Sequence, residues 1–111
     1  MITTHVLDTA RGGPAAGIEV ILEIRQASSW SPIGRGTTDA NGRLTTLMGG
    51  RPLSTGTYRV TFMTAAYHRE QGISHPFFPD VKVSFSVADT ASHYHVPLLL
   101  SPFGYSTYRG T

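Results

Sequence analysis

An all-β fold, two antiparallel sheets packed face to face as a sandwich, is what this sequence predicts. Three observations carry the prediction. Short segments alternate apolar and polar residues at the two-residue period of a strand, Gly, Pro and Asn turns recur between them, and only one brief segment suits a helix. The 111 residues form a single domain, 1–111, long enough for one core and small enough to gain from association.

The elements follow in order. Thr4-His-Val-Leu-Asp8 reads as a short strand, and Arg11-Gly-Gly-Pro14 as a turn that brings the next strand alongside it. In the run from Ile18 to Ile24, Ile18, Val20, Leu22 and Ile24 share one face while Glu19, Ile21 and Glu23 take the other, the pattern of a half-buried strand. Ser31 to Asp39 is a weaker strand. Asp39-Ala-Asn-Gly42 is a tight turn in which glycine supplies the positive φ that other residues resist, and Arg43 follows at once. Leu44 to Met48 is expected to pair back, Gly49-Gly-Arg-Pro52 breaks it, and Tyr58 to Thr64 alternates as a further strand. The helical segment runs from about Ala65 to Gln71, stopping before Gly72. Phe77-Phe-Pro79 leads into Val81 to Val87, whose Val81, Val83, Phe85 and Val87 face inward. Ala88 to Ser92 turns into a last strand that begins at His93. Edge strands of such a sandwich leave backbone groups unpaired, which joining another subunit's sheet would cover, so an oligomer is expected.

Composition excludes several function classes. Nine cations stand against seven acids, and eight of the nine are arginines scattered from Arg11 to Arg109 without a run, so the basic patch of a nucleic-acid binder is missing. Absence of cysteine removes disulfides, thiolate catalysis and thiolate metal sites. No stretch approaches the ~20 apolar residues of a membrane span. Met1 to His5 does not open a leader peptide, so the expectation is a cytoplasmic protein, or a periplasmic one had a leader been removed.

Candidate chemistry concentrates near the C-terminus. On a strand His93 and His95 share one face, with Tyr94, Val96 and Leu98 on the other, so two imidazoles lie side by side. Beyond them Tyr108 and Arg109 supply a phenol and a guanidinium, and the terminus a carboxylate two residues further on. A segment of this composition is expected to be ordered rather than frayed. Two histidines at this spacing, joined by a third, could hold zinc, but no carboxylate stands beside them. His95 lies deeper in its strand than His93 and is the better candidate for burial and a perturbed pKa. His5 in the first strand is either a structural hydrogen-bonder or a functional group. Arg43 is either a solvated turn residue or a rigidly held cation suited to an anionic or enolate-like substrate. His68 and His75 read as surface residues. No Gly-x-Ser-x-Gly elbow, paired carboxylates or phosphate loop occurs.

Four segments together carry a resemblance: Thr4-His-Val-Leu-Asp-Thr9 with Gly13-Pro-Ala15, Thr38-Asp-Ala-Asn-Gly-Arg43, Phe77-Phe-Pro79, and His93-Tyr-His-Val-Pro-Leu-Leu-Leu-Ser-Pro102 leading to Tyr105-Ser-Thr-Tyr-Arg-Gly110. Over nearly its full length the chain resembles the 5-hydroxyisourate hydrolases, the enzyme branch of the transthyretin family. That resemblance implies a transthyretin-like sandwich of eight strands with one short helix, assembled as a homotetramer whose active sites lie in the channel between dimers. It implies hydrolysis of 5-hydroxyisourate in urate degradation without a metal or other cofactor. The family's catalytic positions fall on His5, Arg43 and His95, and its substrate contacts on His5, Arg43, Tyr108 and Thr111, with His93 part of the motif. One departure stands at the end, where Thr111 replaces the family's usual serine. The rival within the same fold is a transthyretin-like small-molecule carrier without catalysis, and a second rival is a zinc-dependent hydrolase that uses the histidines as ligands.

Overall fold

The computed structural model describes residues 1–111 and contains nine strands and one helix. In chain order these are β1 (Ile2–Asp8), β2 (Gly13–Pro14), β3 (Glu19–Gln26), β4 (Ser29–Thr37), β5 (Arg43–Leu44), β6 (Gly56–Met63), α1 (Thr64–Glu70), β7 (Val81–Val87), β8 (Tyr94–Ser101) and β9 (Gly104–Thr107). One sheet runs β2-β1-β8-β9, with β5 joined to the same edge of β1 as β2; the other runs β4-β3-β6-β7. The predicted sandwich is therefore present, and the alternation in each strand explains which side faces in. Ile2, Val6, Val96, Leu98 and Leu100 from the first sheet meet Val20, Leu22, Tyr58, Val60, Phe62 and Val81 from the second in one core.

The pairing differs from the sequence reading in three respects. β1 and β8 run parallel, with Thr3 opposite His95 and His5 opposite Pro97, so the sandwich is not wholly antiparallel. Of the stretch that follows β1, Gly13–Pro14 alone pairs back on it; the strand after it, β3, crosses to the other sheet. Nor does the Leu44 segment pair back on β4. Arg43 and Leu44 join β1 instead, and the residues behind them fold over β4, where Leu47 and Met48 are buried. Glycine makes that possible: a Cβ at Gly34 would collide with the Leu47 carbonyl, and one at Gly36 would stand 2.8 Å from a Leu44 methyl. The weak strand is weak because its glycines make room for another part of the chain.

Helix α1 matches its expected span to within a residue. Its inner side corrects the reading of His68, which is 3% exposed rather than on the surface, while His75 is exposed as expected. Tyr67 donates its hydroxyl to Asp8 at 2.6 Å and accepts from Arg11 at 2.9 Å, tying the helix to the end of β1. No helix is long and apolar enough to cross a membrane.

Candidate active site

Three strands, a turn and the chain's last residue converge on the outer face of the first sheet. Alternation puts Thr3 and His5 of β1 on that face and turns Ile2, Thr4 and Val6 to the core. In β8 the same rule places His95 outward beside Thr3, while Tyr94, Val96 and Leu98 are buried. His5 and Arg43 are direct partners across the β1–β5 pair.

The backbone of Arg43 is anchored by the turn, while its side chain is exposed. The Asp39 carboxylate accepts the Asn41 and Arg43 backbone N–H groups at 2.8 and 3.0 Å, and the Asp39 N–H donates to the Arg43 carbonyl at 2.9 Å. Those backbone bonds, Arg43 first, hold the Asp39 carboxyl below the usual aspartate range. Gly42 has φ +73°, and a Cβ there would come 2.5 Å from the Val6 carbonyl, so glycine is needed both for the turn and for its close seat on β1. Sequence marked the turn; that Asp39 anchors it follows from an aspartate at the first position of a tight turn.

A cleft of about 330 Å³ opens on this face, lined by Met1, Thr3, Thr4, Arg43, Thr45, His93, His95 and Thr111. Arg43, His95 and Thr111, far apart in sequence, are thus brought together. His5 is half-buried next to Arg43 and acts on His95 electrostatically, although it does not line this cleft. Tyr108 lies on an adjacent cleft of about 220 Å³ with Val83, Phe85, Tyr94 and Arg109, and His95 borders both. The tail is ordered as expected. Strand β9 pairs with β8, the Gly110 N–H donates to the His95 carbonyl at 2.8 Å, and a Cβ at Gly110 would stand 2.5 Å from the His95 ring. Arg109 stacks its guanidinium on Tyr94 at 4.6 Å.

The His95 imidazole is pushed below the usual histidine value, first by burial, then by the positive charge of Arg43, with His93 and His5 adding to it and the Thr3 backbone opposing. These influences favour the neutral imidazole. His93 and His95 lie side by side as the strand period requires, ring centroids 6.4 Å apart and planes 15° apart. Between them stands the Thr3 hydroxyl, 2.8 Å from His95 Nδ1 and 3.1 Å from His93 Nε2. Sequence reasoning passed over Thr3, since nothing local in β1 says which strand, some 90 residues away, lies beside it.

The family model described as "HIUase/Transthyretin family" matches residues 2–110. The chain belongs to the HIUase/transthyretin family. Among its relatives, the 5-hydroxyisourate hydrolase of Salmonella typhimurium is 42% identical over 111 residues, spanning 100% of this chain and 81% of the relative. The solved 5-hydroxyisourate hydrolase of Klebsiella pneumoniae superposes with a TM-score of 0.85 at 32% identity, covering 99% of this chain and 97% of that one. Sea bream transthyretin, solved in complex with thyroxine, superposes with a TM-score of 0.91 at 35% identity, covering 99% and 94%. The hydrolase and the thyroxine-bound transthyretin both superpose so closely on this chain that the fold does not separate them. Side chains must.

Proposed function

We propose that this protein is a 5-hydroxyisourate hydrolase of urate degradation, releasing 2-oxo-4-hydroxy-4-carboxy-5-ureidoimidazoline. The observation that carries the reading is the convergence of Arg43, His95 and Thr111 on one cleft, with the imidazole pKa lowered and the Arg43 backbone anchored by the Asp39 turn. A carrier of apolar ligands has no use for a neutral imidazole and a guanidinium on one cleft. The hydrolase relatives agree with that chemistry.

In the mechanism, His95 takes a proton from water as the water oxygen bonds to a ring carbonyl carbon. Arg43 holds the urate-like ring and stabilises the negative charge that develops on the carbonyl oxygen. The ring C–N bond then breaks, the carbonyl carbon leaving as a carboxylate and the nitrogen as part of the ureido group. His5 orients the water or returns the proton to the leaving nitrogen. Thr111 contacts substrate on the same cleft, and Tyr108 reaches the ring from the neighbouring one. Thr111 keeps a hydroxyl at its position and adds a methyl. All of these steps use side chains alone, and no metal has a part in them.

The working form is a homotetramer. Phe77, Phe103 and Tyr105 expose large apolar surfaces in the single chain, and association would cover such groups. His95→Asn tests the reading: removal of the general base is expected to lower kcat by about 10² or more. Turnover equal to the wild type would remove His95 from that role.

A further inference from the structure

The Thr3 hydroxyl touches a nitrogen of each imidazole in the His93–His95 pair, yet it has a single proton to give. It cannot donate to both rings. Where the hydroxyl proton goes to one ring, the other ring presents N–H to the oxygen, which leaves two arrangements; an oxygen that accepts N–H from both rings would leave His95 as in the first of them. In the first, His95 Nδ1–H donates to Thr3 and Thr3 donates to His93 Nε2. In the second, the direction is reversed, and His95 carries its proton on Nε2.

The arrangements differ at the only nitrogen of His95 left for chemistry. Nδ1 is committed to Thr3 at 2.8 Å, so the cleft can be served only by Nε2. In the first arrangement Nε2 is a bare lone pair able to take a proton from water. In the second it is an N–H and cannot act as a base. Which ring nitrogen holds the proton is fixed by the hydrogen bond that the other one makes.

We infer that Thr3 and His93 are positioning residues: Thr3 accepts the His95 Nδ1 proton and passes its own to His93 Nε2, locking His95 in the tautomer that leaves Nε2 free. This rests on the reading of His95 as the general base. The placement supports it. Thr3 is 5% exposed, sits opposite His95 in the parallel β1–β8 register and cannot swing away from the rings into solvent. His93 is exposed, and its nearly parallel ring serves as the terminal acceptor of the relay. The charged and titratable groups around the relay are Arg43, His5 and the two histidines themselves, with the Met1 amino group and the Thr111 carboxylate on the same cleft and no Asp or Glu side chain lining it.

The experiment uses the full-length protein with 15N-labelled histidine at a pH where His95 is neutral. Imidazole 15N–1H correlation spectra report which nitrogen carries the proton, and His95→Asn identifies the His95 signals. The wild type is expected to show His95 protonated on Nδ1. Thr3→Val keeps the shape of the side chain and removes the hydroxyl. It is expected to redistribute the His95 proton towards Nε2 and to lower kcat about tenfold or more with little change in KM. Thr3→Ser should restore both. His93→Ala, a change at an exposed position that does not threaten folding, should shift the tautomer in the same direction as Thr3→Val.

A wild-type His95 protonated on Nε2, or a Thr3→Val protein with unchanged tautomer and kcat, would overturn the relay. The two levels separate cleanly. If His95→Asn is inactive while Thr3→Val matches the wild type in both readouts, only the relay fails. If His95→Asn turns over normally, the general-base reading fails and the relay's catalytic role falls with it, whatever the spectra show.

Discussion

The general-base role proposed for His95 rests on three influences on its ring that act in the same direction. Burial disfavours the imidazolium most, Arg43 next, and the neighbouring histidines add to both. Activity that needs neutral His95 is lost when pH falls through its folded pKa, so the acid limb of kcat/KM should lie below the ordinary histidine value of about 6.5. Arg43→Gln removes the second of those causes and leaves burial in place. Its acid limb is therefore expected to move part of the way back up, alongside a lower kcat from lost stabilisation of the carbonyl oxygen. A pH–rate profile of the variant checks this, and an unmoved limb would show that the guanidinium does not act on His95. How much of the site was legible in sequence differs residue by residue. His5, Arg43, His95 and Thr111 were reached through segments that carry the family resemblance, and the strand period placed the two imidazoles together. Thr3 was not reached, because its importance lies in a parallel neighbour that no local pattern specifies. His68 was misread for a related reason: a seven-residue helix is too short to reveal which side it buries.

At the scale of elements, β4 shows how a poor strand can be informative. Its Gly34 and Gly36 offer little to a sheet by themselves, but they let the Leu44 to Met48 segment lie against it and bury Leu44 and Leu47. Gly34→Ala puts a methyl into the Leu47 backbone, which cannot move aside as a side-chain tip would. A loss of about 1–3 kcal/mol is expected from urea unfolding. Wild-type stability would mean that the segment does not pack there. The sequence indicated every long strand and the helix because alternation is a local property. It missed the parallel β1–β8 pair and the crossing of β3 to the other sheet because partner choice is not local.

Helix α1 carries a second test at this scale. His68 is buried with Nε2 lacking a hydrogen-bond partner, and burial holds its pKa below the usual value although Asp8 acts against this. A histidine with a lowered folded pKa contributes stability fully above about pH 6.5 and loses that contribution as pH falls through the folded pKa. Melting temperature should therefore decline on acidification below about 6.5. His68→Phe removes one of the two groups responsible, the other being His95, and also removes the unpaired nitrogen. It is expected to melt at least as high as the wild type at neutral pH and to show a shallower acid decline. An equally steep decline would exclude His68 from the effect.

For the whole molecule, one backbone underlies both the Klebsiella 5-hydroxyisourate hydrolase and the sea bream transthyretin solved in complex with thyroxine, since this chain superposes closely on each. The proposed site lies on the outer face of one sheet, where a turn anchored by Asp39 brings Arg43 to the edge of β1 and the chain's last residues fold back over His95. The most direct measurement of the central claim generates 5-hydroxyisourate from urate in solution and follows its decay with and without the protein by circular dichroism. The expected result is accelerated decay to a single enantiomer of the ring-opened product, since the cleft is chiral and attack at the carbonyl carbon leaves the hydroxyl-bearing ring carbon untouched. A racemic product formed at the background rate would contradict the account.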